Sequence, residues 1–309
     1  LGILFGGVET LGAPVLPLEV PFKRMRSKGL TVLFNFISFS KKAGPLCNLS
    51  SPENPMIVSI RFLLASLLLS QLSFGAQART YDQVRSSGVL RLATSADYEP
   101  FNYLKNNQFT GFEVELGNLL AKQMNLKPVW VKVDFDSLLN DFDKSNYDVV
   151  IASHAMTSTR AKIVDFTQPH YCGGNLLLAL KGGPLTTKAL ENKTLGAESG
   201  SVNLTFLQKL PFKKQIKVYP STEATYRAVA LGQVDAALTD RFGAASAVKL
   251  YPKANLVLGE VLWRVASGMA VSKGNATLKT ALNTALATVL KDGSYHKLSL
   301  QYFDDDIRC

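Results

Sequence analysis

The sequence has 309 residues, 47% of them hydrophobic, a formal net charge of +10 and three cysteines. That length allows one large domain or two small lobes. The positive excess is dispersed, with Lys213-Lys214 the longest basic run after residue 78, so no clustered basic face for nucleic acid is visible. His154, His170 and His296 are widely spaced and no Cys-x-x-Cys occurs, which leaves a metal site without support.

In chain order, residues 1–55 hold scattered Pro, Gly and basic residues without strong periodicity. They read as a gene-model extension ahead of a true start at Met56, or as a disordered extension. Residues 56–78, "MIVSIRFLLASLLLSQLSFGAQA", carry one positive charge, a short apolar run and a small-x-small ending at Ala78. This is the pattern of a cleaved signal peptide. The run is too short to span a bilayer, which takes about 20 apolar residues. The chain is therefore expected to be exported, with the mature protein starting at Arg79. No cysteine follows the cleavage point directly, so a lipoprotein anchor is not expected. Cys172 and Cys309 remain after cleavage. An exported compartment permits a bridge between them, and the sequence leaves that pairing open.

Beyond the leader, strands and helices alternate. Val89–Ser95 reads as a strand. "GFEVELGNLLAKQMN" (111–125) repeats apolar residues at helical spacing. Pro128–Val133 reads as a strand, Phe135–Lys144 as a helix with Leu138, Leu139 and Phe142 inward, and Asp148–Ser153 as a strand. The grammar then recurs. Strands are expected at Thr194–Glu198, Ile216–Tyr219, Val234–Thr239 and Gly268–Val271. Helices are expected from "SGSVN" to about Leu210, from a Ser221 cap to Leu231, and over Arg241–Leu250, Ala276–Lys291 and Ser294–Phe303. Strands alternating with helices predict parallel sheets covered by helices.

"SNYDVVIAS" (145–153) and "GQVDAALTD" (232–240) share a plan: a turn, an Asp, then an apolar strand ending in a polar residue. Ligands of open parallel sheets sit beyond the carboxyl ends of the strands. Ser153 and Asp240 occupy such ends. Arg160 follows one loop later, in "HAMTSTRAK". If the two halves face each other, Arg160 and Asp240 line one cleft, and a cation facing an anion suits a zwitterion.

Four motifs, in order, carry a resemblance: "GVLRLATSADYEPF" (88–101), "GFEVEL" (111–116), "DVVIASHAMTSTRAKIVDFTQPHY" (148–171) and "LKTALNTALATVLKDGSYHKL" near the end. Together the chain resembles the periplasmic solute-binding proteins of ABC transporters for polar amino acids. The resemblance implies an α/β, two-lobed periplasmic-binding-protein-like fold of type II, each lobe a mainly parallel sheet flanked by helices. Lobe one would take 79–179 plus 268–309, and lobe two 180–267. It further implies a location in the periplasm, and a monomer that needs no cofactor, captures a small carboxylate-bearing ligand and hands it to ABC transporter membrane subunits.

Residue by residue, Arg160 matches the arginine that grips the α-carboxylate. A guanidinium fork fits a carboxylate with two parallel bonds. Asp240 matches the acid that receives the α-ammonium, and Tyr98 and Phe101 match an aromatic wall. Gly200, Ser201 and Val202 match a turn whose N–H groups face the carboxylate. Ser153 ends the first strand of the pair. Three positions depart from the pattern. Ser95 stands where several relatives carry an Asp that contacts a basic side chain. Ala155 replaces a hydroxyl residue, and His154 replaces Met or Leu.

Plainer roles compete for the same residues. Arg160 could brace its loop, Asp240 could cap the helix that follows it, Phe101 could be core, and Ser153 could satisfy loop backbone. Two other functions share this sequence pattern. One is a secreted dehydratase acting on prephenate or arogenate, for which Glu198 is a conceivable acid. The other is a ligand-sensing lobe that signals through a partner. Binding for import is the expected function.

Overall fold

The computed structural model describes residues 78–142 and 147–309. The expected signal segment, apart from Ala78, and residues 1–55 lie outside the described residues. Among the described residues no helix is long and apolar enough to cross a membrane.

Two parallel half-sheets are joined through a pair of long antiparallel strands. In the first half β1 (Val89–Thr94) lies between β5 (Lys127–Lys132) and β6 (Val149–Val150), parallel to both. In the second, β8 (Thr194–Glu198) lies between β9 (Gln215–Tyr219) and β10 (Ala236–Asp240), again parallel to both. Between them run β7 (Val164–Leu180) and β12 (Trp263–Ser272), which pair antiparallel along most of their length. The full order is β5-β1-β6-β12-β7-β10-β8-β9, with β11 (Leu256–Leu258) also on β7. A small second sheet holds β2 (Asp97–Tyr98), β3 (Asn102–Lys105) and β4 (Gln108–Thr110).

The sequence echo has a physical counterpart. Asp148 and Asp235 precede β6 and β10, and each exchanges backbone and side-chain bonds with the neighbouring strand. Asp148 N–H donates to Arg91 O (2.9 Å), and Arg91 N–H donates back to Asp148 Oδ2 (2.9 Å). Asp235 N–H donates to Thr194 O (2.8 Å), and Thr194 N–H donates back to Asp235 Oδ2 (2.7 Å). Each aspartate thus pins the start of an inner strand and sets its register in one of the two related halves.

Seven helices are described. They are α1 (Tyr81–Ser87), α2 (Phe112–Gln123), α3 (Val202–Lys209), α4 (Thr222–Ala230), α5 (Arg241–Leu250), α6 (Ala276–Lys291) and α7 (Ser294–Phe303). Most start where the sequence places a capping side chain. Thr80 and Gln83 form a capping box at α1, and Ser201, Ser221, Asp240 and Asn275 cap α3, α4, α5 and α6. Val84, Leu116, Leu120, Leu282, Leu286 and Val289 meet in the core of the first half. Leu177, Leu195, Leu207 and Leu238 form a separate cluster in the second.

Over the described residues 135–142, the helix expected for Phe135–Lys144 is not formed. Phe135–Asn140 makes successive turns in which bonds of three- and four-residue span alternate. Residues 143–146 lie outside the described residues. Leu138, Leu139 and Phe142 are buried as the pattern requires. The Asp136 side chain accepts from Ser199 Oγ (3.0 Å), and the Asp136 carbonyl accepts from Asn140 Nδ2 (3.1 Å). Short polar side chains compete in this way with helical bonding.

Cys172, on β7, is bonded to Cys309 with the two Cα atoms 4.7 Å apart, closing a loop of 137 residues in sequence. Cys172 N–H also donates to Ile307 O (2.9 Å), and Ile307 is buried. The bridge pins the C-terminal tail to the long strand shared by both halves. Removing a native disulfide costs about 2–5 kcal/mol. Cys309→Ser is therefore expected to lower the melting temperature in oxidising buffer, and reductant should bring the parent chain to the same value. A parent whose melting temperature ignores reductant, with free thiols shown by mass spectrometry, would mean the bridge adds no stability.

Candidate functional site

A cavity opens at the carboxyl ends of β1, β6, β8 and β10, where the two halves meet across β7 and β12. From the first half it is lined by Ser95, Tyr98, Phe135, Ala152, Ser153, Ala155 and Arg160. From the second come Glu198, Ser201, Val202, Asn203, Thr222, Thr225 and Asp240. Tyr171 and Asn175 of β7, with Val265 and Ser267 of β12, form the floor between them.

Arg160 begins a short 3₁₀ turn, where its N–H donates to Thr157 Oγ1 (3.2 Å). Its guanidinium donates to Ala155 O and Gly200 O, both at 3.0 Å, so it spans the two halves. The carbon of the guanidinium lies 5.6 Å from the Phe135 ring centre. Burial lowers its pKa to about 10, partly offset by the opposite charge of Glu198. It remains a cation at neutral pH. Among the described residues it forms no salt bridge, so its positive charge faces the cavity without a protein counter-ion at contact distance.

Asp240 holds two positions at once. Oδ1 accepts from Phe242 N–H (2.9 Å), capping α5, and Oδ2 accepts from Gly174 N–H (3.0 Å). A Cβ at residue 173 would lie 2.1 Å from Oδ2, so glycine there is what lets β7 approach the carboxylate. Burial raises the Asp240 pKa to about 6 against the pull of those N–H groups. The capping and lining roles foreseen for this residue coexist.

Three further polar atoms of the lining are buried and lack a hydrogen-bond partner. They are Asn175 Nδ2, Glu198 Oε1 and Asn203 Oδ1. Buried polar groups are rarely left unpaired, so each one calls for an explanation. A donor and two acceptors orphaned around one cavity, beside a guanidinium without a counter-ion at contact distance, describe a site complementary to a polar ligand. Among the described residues no cluster of His, Cys, Asp or Glu is arranged to hold a metal ion.

The remaining expected residues fall as follows. Tyr98 and Ser95 line the cavity. Phe101 is fully buried behind it and does not line it; it stacks between Tyr98 (5.0 Å between ring centres) and Tyr171 (4.6 Å). Its effect on the site is to hold those two rings in place. Ser153 lines the cavity with φ of +54°, but its N–H and hydroxyl both go to Glu113, at 2.7 and 3.0 Å. Ser201 N–H turns back to Glu198 O (3.3 Å) and its hydroxyl caps α3, whose first residue, Val202, lines the cavity. Gly200 offers Arg160 its carbonyl and lines an adjoining outer cavity with His154 rather than the inner one. His154 stacks on Phe135 at 4.3 Å, and burial with the nearby Arg160 charge pushes its pKa well down. It stays a neutral packing residue.

Sequence reasoning did not mark Phe135, Tyr171, Asn175, Asn203 or Thr222 for the site. Phe135 hid in a segment read as an amphipathic helix. Tyr171 and Asn175 lie on β7, which was not read as a strand. For Asn203 and Thr222, a position in the first turn of a helix that opens on the cleft was the available signal.

Residues 90–305 match the bacterial extracellular solute-binding proteins, family 3. The chain belongs to this family. The lysine/arginine/ornithine-binding periplasmic protein of Escherichia coli (strain K12) is 28% identical over 254 residues, covering 78% of this chain and 98% of that protein. The L-cystine-binding protein TcyJ of the same strain is 31% identical over 230 residues, covering 73% and 86%. Among solved structures, an ancestral amino acid-binding protein described as a precursor of cyclohexadienyl dehydratase is 28% identical. It superposes with a TM-score of 0.67 and covers 72% of this chain and 98% of that one. The family member described here thus has a two-lobed α/β fold, with its cavity where the lobes meet.

Proposed function

We propose that this family member is a periplasmic amino acid-binding protein that delivers its ligand to the membrane subunits of an ABC importer. The observation that carries the reading is the Arg160 guanidinium, charged and without a counter-ion at contact distance, opposite Asp240 in one cavity. An α-amino acid supplies what each lacks. Its carboxylate meets the Arg160 donors, and its ammonium meets Asp240. The named relatives, which bind basic amino acids or cystine, support an amino acid as ligand and an importer as partner. Groups from both halves on one ligand also give closure a driving force.

A second reading rests on Glu198. Burial, reinforced by the nearby charge of Asp97, raises its pKa to about 8. It therefore holds a proton at neutral pH, as a general acid must. That suits a dehydratase which protonates a leaving hydroxyl as carbon dioxide departs. Binding is preferred because the named relatives are binding proteins and the Arg160–Asp240 pair already matches both charges of an amino acid.

Calorimetric titration of the chain with a panel of L-amino acids, and with prephenate and arogenate, separates the two. Saturable binding of an amino acid without turnover is expected. Asp240→Asn should weaken that ligand more than its analogue lacking the amine. Conversion of either cyclohexadiene acid to an aromatic product, abolished by Glu198→Gln, would favour the enzyme instead.

A further inference from the structure

Once the α-ammonium is assigned to Asp240, the acceptors of the second lobe remain unmatched. Glu198 Oε2 accepts from Thr222 Oγ1 (2.9 Å), whereas Oε1 has no partner. Asn203 Oδ1, in the first turn of α3, which follows β8, is also buried and without a partner. Both line the cavity. Asp97, behind them on β2, adds a third carboxyl whose Oδ1 lacks a partner. The cavity thus offers Arg160 as cation against Glu198 and Asp240 as acids, with Asp97 close by. Once Glu198 ionises, a neutral zwitterion, which adds one charge of each sign, leaves the acid excess uncompensated. A ligand with an additional cationic nitrogen cancels part of it and brings several N–H donors for the orphaned oxygens.

We propose that Glu198, helped by Asn203, selects an amino acid with a second cationic nitrogen, and so replaces from lobe two the carboxylate missing at Ser95. This deepens the amino acid-binding reading and rests on it. The geometry fits a guanidinium or ammonium on the side chain. The second ammonium of a diamino diacid such as cystine shares that chemistry, but it brings another carboxylate for which no second free cation is found among the lining residues.

The selection carries a pH signature. Charged or titratable groups facing Glu198 are Asp97 and Tyr98 from β2, Arg160 from the 3₁₀ turn, Tyr226 from α4 and Asp240 at the end of β10. Asp97 and Asp240 titrate near pH 6, and Glu198 near pH 8. Pairing with a cation favours the ionised carboxylate. Cation affinity should therefore rise as pH goes from 6 to 8.5, with protons released below pH 8.

The test is calorimetric titration of the full chain with L-arginine, L-lysine, L-glutamine and L-cystine, in two buffers of different ionisation enthalpy. Arginine or lysine is expected to bind at least tenfold tighter than glutamine, and at least threefold tighter at pH 8.5 than at pH 6. Glu198→Gln should lose at least tenfold for the cation, change glutamine little and flatten the pH profile. Asn203→Ala, read the same way with a smaller loss, serves if Glu198→Gln does not fold. Glutamine binding as tightly as arginine, or a cation preference that survives both substitutions, overturns the proposal while leaving the carboxylate role of Arg160 standing. Cystine binding tightest overturns the side-chain cation in favour of the diacid. Failure of the parent chain to bind any of the four, while another L-amino acid of the wider panel binds, overturns this proposal and leaves the amino acid-binding reading standing; failure with the whole panel overturns both.

Discussion

Arg160→Ala is expected to weaken binding of the cognate ligand by at least tenfold without unfolding the chain. The carboxylate gives up water on entry and needs charge-assisted donors in return. Removing one partner of a buried charged contact costs about 2–5 kcal/mol, much of it from leaving the other charge stranded, and about 1.4 kcal/mol is one decade of affinity. Arg160→Lys should recover only part of the loss. An ammonium lacks the planar fork, and the two carbonyls of Ala155 and Gly200 already claim donors from the side chain. In the free protein the alanine variant removes a buried cation whose desolvation is not fully repaid, so its melting temperature should change little. Calorimetry on folded variants reads the effect. Equal affinity in Arg160→Ala and the parent would make the arginine a brace between the halves and nothing more.

Glu113→Ala is expected to produce the largest loss of stability. Glu113 is fully buried on α2, and its two oxygens meet four polar groups from three residues. Oε1 accepts from Ser153 N–H and lies 2.7 Å from His170 Nε2; Oε2 accepts from Asn102 Nδ2 (2.7 Å) and Ser153 Oγ (3.0 Å). Asn102 in turn accepts from Ser95 Oγ and Ala96 N–H. One carboxylate therefore fixes the loops after β1 and β6, both of which line the cavity. Breaking a buried charged network by deleting one member costs about 3–5 kcal/mol. At roughly 2–4 °C per kcal/mol for a domain of this size, the melting temperature should fall by about 6–20 °C. Glu113→Gln should not restore it, because an amide turns one acceptor into a donor facing donors. Any folded Glu113 variant should also bind ligand more weakly, since Ser95 and Ser153 lose their common anchor. Thermal denaturation within 2 °C or so of the parent would show that the network contributes no net stability.

What was legible in the sequence was local. The apolar spacing of Phe112, Leu116 and Leu120 marked α2 and its buried face, and Ser221 and Asp240 marked the starts of α4 and α5. The paired aspartates at 148 and 235 marked two related halves. Arg160 and Asp240 stood out because a charged residue just past an apolar strand has few roles. Each of these signals depends on residues within a turn or a strand of one another, where backbone geometry alone decides which side chains share a face.

Tertiary structure decided what those local signals could not. Pro169 and Gly173-Gly174 interrupt the pattern of β7, and that segment is a strand because β12, β10 and β11 supply its bonds from about 60 to 100 residues away. The pairing of Cys172 with Cys309 follows from that placement. Whether a polar atom is orphaned also depends on distant elements. Asn175, Glu198 and Asn203 look ordinary in the chain, and only the meeting of both halves removes water from them without offering a partner. Glu113 is the same case satisfied: a helix glutamate by sequence, it becomes a buried anchor because Asn102, Ser153 and His170 converge on it. Burial, and with it the cost of an unpaired charge, is a property of the assembled fold.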